Sequence, residues 1–443
     1  MRGLPYLAAR FRYGGRVNQG ETIQNHSIAS NEERIEVRKT HMVNKPRRQQ
    51  REFPFLRLLL LACLMGIAVA AQEVDQRDAN AVLRLRSFSA KRVTVLGEAG
   101  GYFPVAARLK DGRIAAVLRG GGSHIDVRGR LDVVFSSDEG ETWTAPRILV
   151  DGPNDDRNPA FGVAADGTLV LAYIVAYGYP ANKTEEELRK IGTAAFLRGS
   201  GIYVTRSRDN GETWDPPSMI PIFKGPYPSP YGKIVTLDDG SLLMALYTKD
   251  NFHHVPMPTP GPLANYAYTI RSTDNGKTWG SSSLLGAGFD ETGLIQTRNK
   301  DVLALMRSGP GVAEGMPRPA LFLTRSKDRG KTWSTPERVT REMEIPADLL
   351  ELPDGRIVLC HGQRNYPMGV HAIVSSDGGH TFNLRDRLSL SWFANNRDTG
   401  YPSSILRKDG KVVTLYYQMD DPANHPQSAK SKAVIWEPPG DWR

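Results

Sequence analysis

Five serine–aspartate pairs are the first residues along this chain whose types and spacing suggest chemistry, since a hydroxyl two positions before a carboxylate suits hydrolysis or cation binding. They lie in one octapeptide: Ser136-Ser-Asp-Glu-Gly-Glu-Thr-Trp143, Ser207-Arg-Asp-Asn-Gly-Glu-Thr-Trp214, Ser272-Thr-Asp-Asn-Gly-Lys-Thr-Trp279, Ser326-Lys-Asp-Arg-Gly-Lys-Thr-Trp333 and Ser375-Ser-Asp-Gly-Gly-His-Thr-Phe382. Five near-identical sites are redundant for catalysis and expected of a folding repeat. Each is therefore read as a turn, an Asp box: the Asp accepts backbone N–H groups two residues on, Gly supplies the positive φ, and the aromatic residue anchors the next strand. Other candidates are few. His253, His254 and His361 fall in loops that would permit a metal site, but no HExxH or paired-cysteine spacing supports one, so neither metal nor cofactor is expected. Gly120-Gly121-Gly122 follows no phosphate-binding pattern and reads as loop, and Cys360 reads as a small buried hydrophobe.

The elements that must position any site follow from the repeat. A second motif, Asp-Gly between short β-rich runs, interleaves with the first at Asp111-Gly112, Asp166-Gly167, Asp239-Gly240, Asp354-Gly355 and Asp409-Gly410, with a degenerate copy in Leu294–Val302. Strand, Asp-Gly turn, strand, loop, strand, Asp box, strand is the order of a propeller blade. The expected fold is all-β: a six-bladed β-propeller with four-stranded antiparallel blades and Asp-box turns. The last unit has three strands of its own, and Val93–Leu96 is expected to supply its fourth and close the ring. Both turn families should share one face. The opposite face then carries the functional loops, roughly 119–130, 176–200, 248–265, 307–319 and 361–370. A short helix is expected in Thr184–Lys190, capped by Thr184.

Charge separates the chain into two parts. The whole carries a net +9, yet residues 1–71 hold 12 basic and 5 acidic residues, which leaves the remainder at +2. Leu58–Ala70 is a short apolar run preceded by Lys45–Arg51 and followed by small residues, the pattern of a secretory signal peptide. The reading is a non-structural leader over 1–71, with the signal peptide at about 42–71, and a single propeller domain over 72–443. It implies an exported protein, periplasmic or secreted, with no stable membrane association after cleavage. Nucleic-acid binding loses its basis with the leader discounted.

Over roughly residues 100–420 the chain resembles the sialidase (neuraminidase) superfamily, of the bacterial Asp-box or BNR-repeat type. The resemblance implies three arginines that clamp a substrate carboxylate, a tyrosine nucleophile activated by a glutamate, and an aspartate acid/base. Asp398-Thr-Gly-Tyr-Pro-Ser-Ser-Ile405 is similar to the family's nucleophile segment and gives Tyr401. Phe289-Asp-Glu-Thr-Gly-Leu294 and Leu305-Met-Arg307 give Glu291 and Arg307, and His361-Gly-Gln-Arg364 gives Arg364. Gly120–Asp126 occupies the loop of the family's aspartate and gives Asp126, with His124 placed to shuttle protons at neutral pH. Tyr416 and Tyr417 are read as packing. One departure stands out: where the family has Tyr-Arg-Ile-Pro, this chain has Gly101-Tyr-Phe-Pro104. Arg157 and Arg119 are the candidate substitutes.

The function so implied is an exported, retaining exo-α-sialidase-like hydrolase that removes a terminal acidic sugar from a glycan. Two alternatives remain open at this stage. One is a hydrolase or lyase on the same fold acting on another acidic or deoxy sugar; the other is a non-catalytic glycan- or protein-binding propeller.

Overall fold

Turn chemistry fixes where the strands of this chain begin and end. The computed structural model describes residues 77, 84–86, 92–97, 101–176, 187, 200–221, 228–258, 265–313, 316–419 and 429–443. The leader and most of Thr184–Lys190 lie outside the described residues, apart from helical Glu187. In the first Asp box, Asp138 Oδ1 accepts the Thr142 amide at 2.9 Å and Oδ2 its hydroxyl at 2.5 Å, while Ser136 Oγ accepts the Gly140 amide at 2.8 Å. The carboxylate thus caps four residues ahead, not two. The left-handed conformation spans both Glu139 (φ 60°) and Gly140 (φ 88°). The degenerate hairpin also forms: Lys300 takes the left-handed position (φ 72°), and its amide reaches the Thr297 carbonyl at 2.8 Å, as Gly112 reaches Leu109.

The chain starts with β1 (Arg84–Arg86) and β2 (Arg92–Gly97). It continues through β3 (Tyr102–Arg108), β4 (Ile114–Gly120), β5 (Arg130–Ser136) and β6 (Arg147–Val150), which form one sheet. Next come β7 (Asp155–Val163), β8 (Leu169–Ala176), β9 (Gly201–Ser207) and β10 (Ser218–Met219), then β11 (Ser229–Thr236), β12 (Leu242–Thr248), β13 (Tyr266–Ser272) and β14 (Gly280–Ala287). A further sheet holds β15 (Phe289–Gln296), β16 (Val302–Ser308), β17 (Leu321–Ser326) and β18 (Glu337–Arg338). The last strands are β19 (Glu344–Glu351), β20 (Ile357–Gln363), β21 (Gly369–Ser375), β22 (Asp386–Ser391), β23 (Gly400–Leu406), β24 (Val412–Met419) and β25 (Ala429–Trp436).

This pairing corrects the expectation of six separate, four-stranded antiparallel blades. Among the described residues there are five hydrogen-bonded sheets, one of five strands, one of eight and three of four. Two parallel pairings make the difference. β11 pairs with β7 through Gly232↔Ala160 and Lys233↔Phe161, which fuses eight strands into one sheet, and β1 adds in parallel to β22. Gly162 makes the fusion possible, because a Cβ there would lie 2.1 Å from the Ile234 carbonyl. What stands is an all-β propeller whose sheets pack face to face through apolar seams, such as Val117 and Val133 against Phe161 and Leu171. As expected, β2 pairs antiparallel with β25 and joins the two ends of the chain.

Both turn families share a face, as the alternation requires. Asn275 of one Asp box donates to Asp166 of an Asp-Gly turn at 2.7 Å, and Arg329 pairs with Asp238 at 2.6 Å. On the opposite face the six strands β3, β7, β11, β15, β19 and β23 each carry a register shift near their first residues. Such bulges re-aim side chains. Phe103, Asn158 and Tyr401 sit at three of them with φ of 51–52°, a cost that recurs at functional positions.

Candidate active site

Tyr401 follows Gly400, whose φ of 111° and close approach to Gly362 leave no room for a Cβ. That turn aims the tyrosine across the ring of strands toward β15. Its hydroxyl donates to Glu291 Oε1 at 2.5 Å, although the two residues are 110 positions apart. The other carboxylate oxygen of Glu291 takes Arg307 Nη1 at 2.5 Å. Arg307 arrives from the adjacent β16, where Thr292 pairs with Met306. Its Nε lies 3.7 Å from Asp290 and has no hydrogen-bond partner. Arg364 carries its guanidinium 5.6 Å from the centre of the Tyr401 ring, with Nε donating to the Thr399 carbonyl at 3.3 Å. The structure thus brings together Tyr401, Glu291, Arg307 and Arg364.

The electrostatics are those of a largely buried cluster of charges. Burial and the Glu291 charge push the Tyr401 phenol well above its ordinary pKa. Burial works against the charge of Arg307, but Glu291 and Asp290 more than offset it. Asp290 is held above the ordinary carboxylate range by burial, with Glu291 adding and Arg307 opposing. A phenol raised this far is not ionised at rest. A neutral phenol can attack only if a base takes its proton, and Glu291, held by Arg307, is within hydrogen-bond reach of that proton.

The two candidate substitutes for the missing arginine are engaged elsewhere. Arg119 is fully buried and points Nε and Nη2 at Asp155 Oδ1, at 3.1 and 2.7 Å. Arg157 Nη1 lies 3.4 Å from the other oxygen of Asp155. Both cations therefore neutralise one buried carboxylate. Phe103 stands beside Tyr401, with ring centroids 4.7 Å apart, and Tyr231 also flanks it at 5.8 Å.

Asp126 lies in the β4–β5 loop, where Oδ2 pairs with Arg128 at 2.6 Å and Oδ1 accepts the Arg128 amide at 3.0 Å. Burial pulls its pKa upward, but hydrogen bonds from Arg128 and Ser123 hold it at about 2. His124 Nδ1 contacts both oxygens of Asp398, at 2.8 and 3.0 Å. Tyr417 is corrected from packing to a polar role: its hydroxyl donates to Asp398 at 2.5 Å while its ring lies 5.3 Å from that of Tyr401. Tyr416 does pack, in the seam with Trp436 and Val434. Sequence reasoning missed Asp290, Asp398, Tyr417 and Tyr231. The first two had a signal, since each lies inside a segment already singled out. Of the three histidines, His253 and His254 are exposed and His361 is buried, and no metal-holding group appears among the described residues.

Comparison with known proteins finds relatives of the chain as a whole. A family model described as a BNR repeat-like domain matches residues 135–414. A curated sialidase from Bacteroides fragilis is 22% identical over 345 residues, which cover 71% of this chain and 58% of that protein. The chain thus spans somewhat over half the length of that relative. Among solved structures, a protein of unknown function from Dyadobacter fermentans aligns with a TM-score of 0.61 at 22% identity, covering 79% of this chain and 98% of that one. A Hadza microbial sialidase aligns with a TM-score of 0.57 at 20% identity, covering 76% and 66%.

Proposed function

This chain belongs to the family of BNR repeat-like domains, within the sialidase superfamily, and from that premise we propose that it is a retaining exo-glycoside hydrolase that removes a terminal acidic sugar from a glycan. The observation that carries the reading is the short Tyr401–Glu291 hydrogen bond, backed by Arg307 and overlain by Arg364. An anomeric carbon that bears a carboxylate repels a carboxylate nucleophile, and a neutral tyrosine avoids that cost. Glu291 removes the phenolic proton as Tyr401 attacks, and Arg307 and Arg364 hold the sugar carboxylate beside the ring. Export by way of the leader in residues 42–71 is part of the same proposal, and N-terminal sequencing of the protein recovered outside the cytoplasm tests it.

A second reading is favoured by one observation. Phe103 occupies the flank of Tyr401 where a third guanidinium would complete the clamp, and Arg119 and Arg157 are both paired with Asp155. Two cations and an apolar wall suit an acidic sugar other than sialic acid, a uronic acid among them. Turnover of 4-methylumbelliferyl α-sialosides and β-glucuronides, with sialyllactose and uronate-containing oligosaccharides, separates the two. Under either reading Tyr401→Phe lowers kcat by at least about 100-fold. Full activity in that variant sinks the tyrosine mechanism.

A further inference from the structure

We propose that His124, oriented by Asp398, is the proton donor and acceptor of the glycosyl transfer, and that Asp126 builds the loop that presents it. The proposal rests on the tyrosine-hydrolase reading. A carboxylate only accepts hydrogen bonds, so the contacts of 2.8 and 3.0 Å from His124 Nδ1 to Asp398 fix the hydrogen on Nδ1. The exchangeable proton is then the one on Nε2. Asp398 is itself immobilised, by the Tyr417 hydroxyl at 2.5 Å and by its own amide donating to Asn396 Oδ1 at 2.8 Å. Burial opposes its charge, but His124, Tyr417 and Arg364 together keep it ionised. A half-buried carboxylate on one ring nitrogen, such as Asp398, stabilises the imidazolium that forms on the other side.

The placement is that of a group flanking the nucleophile. The His124 ring lies 5.0 Å from Phe103, which lies 4.7 Å from Tyr401, and Asp398 precedes Tyr401 by three residues. Phe103 thus serves as a shared wall between proton donor and nucleophile. Asp126 is differently occupied. Its Oδ1 takes the amide and Nε of Arg128, both at 3.0 Å, and its Oδ2 takes Arg128 Nη2 at 2.6 Å and the Ser123 amide at 3.3 Å. Those bonds close the loop around His124. Arg119 secures it from beneath by donating to the Ser123 and Asp126 carbonyls.

In the first half-reaction the Tyr401 oxygen bonds to the anomeric carbon and its proton passes to Glu291. The bond to the aglycone oxygen breaks, and that oxygen takes the Nε2 proton of His124. In the second, neutral His124 takes a proton from water as the water oxygen bonds to the anomeric carbon. The bond to Tyr401 breaks as that new bond forms, and Glu291 returns the proton to the departing phenolate.

Leaving-group dependence tests this, with the full chain and with the acidic sugar identified by the substrate panel. The 4-methylumbelliferone of an aryl glycoside leaves without protonation, whereas the lactose of a trisaccharide such as sialyllactose needs it. His124→Asn is expected to lose at least about 100-fold on the oligosaccharide and under about 10-fold on the aryl glycoside. Asp398→Asn, a positioning change, shows the same selectivity more weakly and moves the His124 ring nitrogens in 15N NMR. Melting curves confirm that each variant is folded. Equal losses on both substrates in His124→Asn, or the selective loss in Asp126→Asn instead, overturns the assignment. A fully active Tyr401→Phe, or a wild type that turns over nothing in the panel, overturns the hydrolase reading and the histidine role with it. An inactive Tyr401→Phe beside an unselective His124→Asn overturns the histidine role alone.

Discussion

Asp290 has a chemistry that its neighbours in sequence do not suggest. Burial and the adjacent Glu291 raise its proton affinity above the ordinary value of 3.8. The native state therefore keeps a proton that the unfolded chain has already released, so the protein is expected to lose stability as pH rises above that value. The slope is at most about 1.4 kcal/mol per pH unit. Asp290→Asn cannot titrate and should flatten the curve, as read from urea melts between about pH 4.5 and 7.5; an unchanged slope refutes it. The same residue shows what sequence can convey at this scale. That Tyr401, Glu291, Arg307 and Arg364 converge was legible because each sits in a short segment that resembles the family's own. Arg119 and Arg157 were misread because a guanidinium near a strand end looks identical whether it faces substrate or, as here, Asp155. Tyr417 was misread for a related reason: alternation along β24 shows that it and Tyr416 face opposite ways, but not that Asp398 waits on one side.

At the scale of elements, the turns were the most legible part of the chain, because their hydrogen bonds are local. Every Asp box closes through the same serine, aspartate and threonine, so every box should respond alike to the loss of its carboxylate. Asp328→Ala removes bonds to the Thr332 amide and hydroxyl, at 2.9 and 2.6 Å. A cost of about 1–2 kcal/mol is expected for hydrogen bonds to a charged group at a partly exposed turn. Asp274→Ala should cost the same, and the double variant should be additive to within about 0.5 kcal/mol, since the two boxes lie in different sheets. Denaturant midpoints check both, and strong non-additivity would show that the boxes communicate. Acid acts on them together. Asp328 and Asp377 are lowered to about 2, with burial opposing and the Thr and Ser hydrogen bonds prevailing. The stability they contribute is present above the ordinary value and is lost as pH falls toward 2. Sheet membership was far less legible. The parallel pairing of β7 with β11 depends on Gly162 and the Ile234 carbonyl, two positions whose proximity no local pattern announces.

At the scale of the molecule, the ends of the folded chain hold each other. β2 pairs with β25 from Arg92↔Ile435 to Gly97↔Ser431, and β25 in turn pairs along its length with β24. Without β2, the outer edge of β25 would present a row of unpaired amides and carbonyls, which invites edge-to-edge association. The apolar seam would lose Leu96, buried to 3% exposure among Leu118, Val134 and Ile435. Leu96→Ala isolates the packing part of that loss and is expected to cost about 2–5 kcal/mol. A chain that begins after residue 97 loses packing and pairing together, so it should melt lower still and associate, whereas a chain that begins at Gln72 keeps both. The seam with Leu96 adjoins the strand β3 that carries Phe103, so the truncation should also loosen the wall shared by His124 and Tyr401 and lower turnover at temperatures below the melt. Size-exclusion chromatography and thermal melts of the three chains decide it. A monomeric truncated chain as stable as the one that begins at Gln72 would show that the propeller is held closed by its seams alone, with the pairing of its ends contributing nothing.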